Sequence, residues 1–171
     1  MREYFKELTD PRQAGKIKHN LLELIVMTSC ATIAGCDVWE DIADSCRVKE
    51  AWFRDALHMH LENGVPAHDT MQRVWGMLEP KEFERCFCAW VEAVRKHWGI
   101  ENSLHWCLNM TFREDYSRIR KDHSAENMAV VRHMALNILK NHPAKISLAR
   151  KRRRCAYDDV FFAEVMDSVH A

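Results

Sequence analysis

The chain has 171 residues, 47% of them hydrophobic and 29% charged, with 25 basic side chains balanced by 25 acidic ones. That length suits one domain or two small ones. A chain of about 150 residues can bury roughly 70% of its unfolded surface, so the composition excludes wholesale disorder. The longest apolar stretch, residues 21–35, carries Glu23 and falls short of the run of roughly 18 residues that a membrane span needs. The charged start of the chain (Arg2, Glu3, Lys6, Glu7, Asp10) is unlike a signal peptide. Seven cysteines, an odd number and without a Cys-x-x-Cys pair, read as reduced thiols rather than a disulfide scaffold, and the expected compartment is the cytoplasm.

Neutrality overall hides an uneven distribution. Residues 1–112 hold 13 basic and 17 acidic side chains, residues 113–154 hold 12 and 4, and residues 155–171 hold four acids and no base. A basic stretch between acidic flanks points to a face for a polyanion, with a merely solvated charge run as the alternative.

Helical spacing dominates the chain. Asn20 with Glu23 forms a capping pair ahead of Leu21, Leu24, Ile25 and Thr28, and Gly35 closes that helix. Asp37 with Glu40 predicts a second helix through Cys46, and a third spans 49–61 before Asn63-Gly64-Val65-Pro66. Asp69 with Gln72 opens a fourth, to about Leu78. After Pro80, residues Phe83, Cys86, Phe87, Trp90, Val91 and Val94 recur every three or four positions, and helical character persists through His97 and Trp98. A kink is expected at Gly99, and a short extended piece at Met110 and Phe112. Ser124 is placed to cap a long helix with Met128, Val131, Ala135 and Ile138 inward, stopped by His142-Pro143. Asp158 caps a last helix carrying Phe162, Val165, Met166 and Val169 inward. No stretch alternates as a strand does. The predicted fold is mainly α, with a division near residues 94–98.

Two groups of residues invite chemistry. His97, Glu101 and His105 would share one face of a continuous helix, with Glu114 and Asp115 and the cations Arg113, Arg118, Arg120 and Lys121 nearby. Carboxylates that hold a divalent metal beside cations that hold phosphates are what nucleic-acid cleavage requires, but the His-Glu-x-x-His signature of a zinc site is absent. Arg150, Lys151, Arg152, Arg153 and Arg154 form the second group, a cationic run suited to phosphates without base readout, or else an exposed solubilising linker.

The string HWGIENSLHWCLNMTFREDYSRIRKDHSAENMAVVRHMALNILK, from His97 to Lys140, resembles the C-terminal part of the H-repeat-associated insertion-sequence transposases, whose DDE catalytic core is RNase H-like. The stretches LTDPR and NGVPAHDTMQRV, with His19 to Leu22, Trp39 and residues 78–91, are similar to the domain preceding that core. The resemblance implies a small helical N-terminal domain, 1–94, joined to a helical C-terminal remnant of the core, 95–171. It also implies Glu101 as the third acid of the DDE set. The family's first acid stands in an Asp-Gly-Lys motif, and this chain contains no Asp-Gly. Where the family shows Leu-Asp-Val, the chain has Leu108-Asn109-Met110. The comparison therefore implies an internal deletion that fuses the family's two ends.

Two-metal phosphoryl transfer holds its ions about 3.5–4 Å apart on several oxygen ligands. A single carboxylate holds Mg²⁺ poorly, so the Mg²⁺ or Mn²⁺ of the family is not expected to bind here. The expected function is that of a truncated, catalytically inactive transposase remnant with weak, non-specific DNA affinity. Its competitors are an interaction partner or inhibitor of a full-length transposase, a self-associating nuclease completed by another subunit, and an unstable chain whose helix faces have lost the strands they packed on. No membrane partner is expected.

Overall fold

The computed structural model describes residues 2–98, 119 and 121–168, the side chains of Arg2 and of 94–98 excepted. The helices are α1 (Arg2–Phe5), α2 (Leu21–Ala34), α3 (Trp39–Val48), α4 (Glu50–Leu57), α5 (His68–Met77), α6 (Pro80–Trp98), α7 (Ser124–Asn141), α8 (Leu148–Tyr157) and α9 (Asp159–Asp167). No strand occurs among the described residues, in agreement with the mainly α expectation. The expected kink at Gly99 and the extended piece at Met110 and Phe112 lie outside them, as does the inward Val169.

Helix α2 begins as its sequence dictates. The Asn20 carboxamide oxygen accepts from the amides of Leu22 at 2.8 Å and Glu23 at 3.4 Å. Glu23 does not complete a capping box. Its carboxylate instead accepts from the amides of His60 at 3.0 Å and Leu61 at 3.2 Å, which pins the chain leaving α4 against α2. At the other end Gly35 takes φ +107°, and the Cys36 amide reaches back to the Ala31 carbonyl at 3.0 Å. A side chain at that φ would be strained, which is why glycine serves there.

Other boundaries differ from expectation. Val38, not Asp37, precedes α3, and Asp37 lies 3.8 Å from the Arg152 guanidinium. Helix α4 stops at Leu57 rather than Leu61, because His58 and Leu61 adopt positive φ and turn Met59 and Leu61 into the core. Neither Asp69 nor Ser124 caps its helix through a side-chain bond; Ala67 and His123 occupy those positions. Asp158 does cap α9, accepting from the Phe161 amide at 2.9 Å.

Helices α2 and α7 are buried on nearly every side. Helix α7 packs on α2, α5, α6, α8 and α9. Its buried set runs through Val131, Arg132, Met134, Ala135, Leu136, Asn137, Ile138 and Leu139, wider than the single stripe that 3.6-residue periodicity predicts. One hydrophobic cluster thus draws on residues from Phe5 to Met166.

Polar bonds tie the same elements. The Trp75 indole donates to Thr28 Oγ1 at 3.0 Å. The Asn127 carboxamide of α7 donates to the carbonyls of Trp75 at 2.8 Å and Leu78 at 3.1 Å, closing the end of α5. Trp52 stacks on Phe162 with ring centroids 4.7 Å apart, and Lys49 pairs with Asp159 beside them. The helix faces expected to lie bare in an unstable chain are therefore covered for α2 and α7. No single described helix is long and apolar enough to cross a membrane.

Candidate nucleic-acid interface

The basic run falls on α8. Ser147 starts the helix, its hydroxyl accepting from the Arg150 amide at 3.3 Å. At about 100° per residue, Leu148, Lys151, Arg152 and Cys155 share one side, and Arg150, Arg153, Arg154 and Tyr157 share the other. The first set is turned toward the core: Lys151, Arg152 and Cys155 are all buried. The second set is exposed.

The two buried cations each serve a helix end. The Lys151 ammonium donates to the carbonyls of Leu139 at 2.8 Å and His142 at 2.6 Å, at the C-terminus of α7. Arg152 donates to the Thr32 carbonyl at 2.9 Å, at the C-terminus of α2. Cations there complement the negative end of the helix dipole. Burial lowers the pKa of Lys151 and pushes the Cys155 thiol up to about 12. Five neighbouring cations thus divide into two internal struts and three outward groups.

Outward, Arg150 and Arg153 make no ion pair or side-chain hydrogen bond among the described residues. Arg154 is held differently, bonded to the Asp158 carboxylate at 2.8 Å and lying over the Phe161 ring at 4.1 Å. Asp158 has its pKa lowered, first by the Phe161 amide and then by Arg154. The next acid, Asp159, pairs with Lys49. Both carboxylates that follow α8 in sequence are thereby engaged by partners, which leaves the outer face cationic.

Glu101, His105, Glu114 and Asp115 fall outside the described residues, and so does the side chain of His97 at the end of α6. Among the described residues no group of three or more metal-binding side chains exists, so these residues offer a divalent ion no site. A surface groove of about 360 Å³ between α6 and α7 carries Lys81, Glu84, Glu126 and His133 around Phe87. Its mixed charge suits neither a polyanion nor a metal.

Sequence reasoning placed the five cations in one run and missed their division. The signal was present in the 3.6-residue spacing of Leu148, Lys151, Arg152 and Cys155. It also passed over Tyr157, which stands 76% exposed on the cationic side.

The described residues form a bundle of helices whose outer helix, α8, turns a cationic face to solvent. Comparison with known proteins gives its lineage. Residues 2–91 match the DDE_Tnp_1-associated family, and residues 88–138 match the Transposase DDE domain. The chain belongs to the DDE_Tnp_1-associated family of transposase proteins.

It is 39% identical over 93 residues to an uncharacterized protein in the dhlA 3' region of Xanthobacter autotrophicus, covering 54% of this chain and 31% of that protein. Against YhhI of Escherichia coli, assigned by its name to the H repeat-associated transposases, it is 30% identical over 119 residues, 70% of this chain and 30% of YhhI. The inactive transposase YbfQ of Escherichia coli is 38% identical over 72 residues, 42% of this chain and 83% of YbfQ. The chain thus spans about a third of the length of the first two relatives. No solved structure matches it. DDE transposases as a class act on DNA with divalent metal ions.

Proposed function

We propose that this chain is a non-catalytic transposase remnant that keeps weak, sequence-independent affinity for DNA. In this reading residues 1–94 are the associated domain and residues 95–171 the C-terminal part of the catalytic domain, joined where the family's central segment is missing. The carrying observation is the outer face of α8, with Arg150 and Arg153 exposed and without ion-pair partners among the described residues. For the lack of catalysis, the support is chemical. Glu101 is the single acid that aligns with the DDE set, no Asp-Gly occurs in the chain, and groups that act as a unit fail together. No Mg²⁺ or Mn²⁺ is proposed to bind. Free cysteines, with Cys30, Cys46, Cys86 and Cys155 among them buried, favour a cytoplasmic setting, where DNA is accessible.

A salt titration of duplex binding tests the DNA reading. Two or three phosphate contacts give log K against log salt a slope of about −2 to −3, whereas five would give about −4.5. Arg150→Ala with Arg153→Ala flattens the slope, and the absence of any salt-sensitive binding overturns the reading. Nicking in Mg²⁺ or Mn²⁺ that vanishes in Glu101→Ala overturns the claim of inactivity. Co-purification with a full-length transposase, in the absence of DNA binding, assigns the chain instead as a partner or inhibitor of its relative.

A further inference from the structure

We propose that Tyr157 is a base-stacking residue and that the outer face of α8 prefers unpaired nucleotides to duplex DNA. The inference rests on the DNA affinity proposed above and names its substrate.

Tyr157 lies seven residues after Arg150 and four after Arg153, so the three stand on one face within two helical turns, about 10 Å of axial rise. Its ring is 76% exposed and makes no ring contact or side-chain hydrogen bond among the described residues. Among the described residues the ring has no structural partner. Other aromatic side chains of this region are engaged: Phe161 lies under Arg154 and against His142, and Phe162 stacks on Trp52. Asp158 and Asp159 follow Tyr157 in sequence, but Arg154 and Lys49 hold them. An aromatic face bordered by unpaired guanidinium groups remains.

Cations alone attract any phosphate chain. A ring adds affinity only where a base presents its own face, and in a duplex those faces are already stacked on one another. Single strands offer both at once: phosphates for Arg150 and Arg153, and a base for Tyr157. An acidic protein segment would engage the cations equally but gain little from the ring.

The test compares a single-stranded oligonucleotide of mixed sequence with its own duplex, at matched low salt, using the whole chain. The single strand binds more tightly, and Tyr157→Ala weakens it by about fivefold, the lower end of what one stacked base contributes, while duplex affinity holds. Tyr157→Phe retains the preference, because stacking needs the ring and not the hydroxyl. Thermal stability is unchanged in both variants, since the side chain is exposed.

If duplex binds with the expected salt slope but no single-strand preference appears, this inference fails and the DNA reading stands. Tyr157→Ala weakening both substrates equally, or neither, also overturns it. If neither DNA binds, both readings fail. Polyglutamate binding that matches single-stranded DNA and is indifferent to Tyr157→Ala overturns it in favour of an acidic protein partner.

Discussion

The Lys151 ammonium reaches the His142 carbonyl at 2.6 Å, so the second residue of a basic run closes the end of a helix buried on nearly every side. The same ammonium holds Leu139 at 2.8 Å. One carbonyl belongs to the last turn of α7 and the other to the residue that follows it, where no further helical amides satisfy them.

Replacing this lysine tests the orientation of α8. Lys151→Met keeps the apolar stem but strands two buried carbonyls, each costing about 1–3 kcal/mol. We expect a loss of about 2–4 kcal/mol, which for a chain of this size lowers Tm by roughly 5–15 °C. Arg153→Ala, two positions away but exposed, should change stability by no more than about 0.5 kcal/mol. Equal effects in thermal melts would mean that α8 is turned differently.

The pH response should centre on His142. It is buried, and its pKa is lowered first by that burial and then by the Lys151 cation; Glu164, 4.0 Å away, opposes the shift and Arg154 adds to it. Protonation would also cost the bond that the ring nitrogen Nδ1 accepts from the Ala144 amide at 3.3 Å. A base whose folded pKa lies below its unfolded value binds fewer protons when folded. Stability therefore rises with pH through the window below 6.5 and falls on acidification. His19, whose pKa is also lowered by burial, acts in the same direction. His142→Asn should flatten that part of a Tm-against-pH curve, and an unchanged slope would remove His142 from the account.

Asn127 carries a separate test of how the two halves of the chain depend on each other. Its amide closes the carbonyls of Trp75 and Leu78 from across the bundle. Asn127→Ala should cost about 2–3 kcal/mol by leaving those buried acceptors open. Because one core spans the chain, tryptophan fluorescence and far-ultraviolet circular dichroism should report a single coincident unfolding transition in both proteins. Separate or broad transitions would argue for halves that melt independently.

Thiol reactivity offers a chemical map of the same core. Cys88 is exposed, whereas Cys30, Cys46 and Cys155 are buried with pKa values pushed up by that burial. Among these four, brief alkylation of the folded protein at neutral pH should modify Cys88 alone, with the others reacting only after denaturation. Rapid labelling of Cys30 under native conditions would contradict the packing of α2.

Helix boundaries that rest on local chemistry were legible in the residues. Asn20, Gly35, Pro80 and Asp158 each act within a few positions of themselves, and the structure finds them where their chemistry puts them. Asp37, Asp69 and Ser124 carry the same local signal, and no side-chain cap forms at any of them. For Asp37 the competing partner is visible: the cation of Arg152, more than a hundred positions away. The candidate site divides in the same manner. Composition located a cationic run at 150–154, but charge counting treats every arginine and lysine alike.

By itself, the sequence determined the helical class, the main helices and the transposase lineage. Tertiary structure decided that α7 is buried almost all round and that Lys151 and Arg152 serve the interior. It also decided that Arg150, Arg153 and Tyr157 face outward. The physical reason is range: caps, turns and periodicity act over one or two helical turns, whereas the direction of a charged side chain is set by which distant carbonyl or carboxylate the fold brings to it.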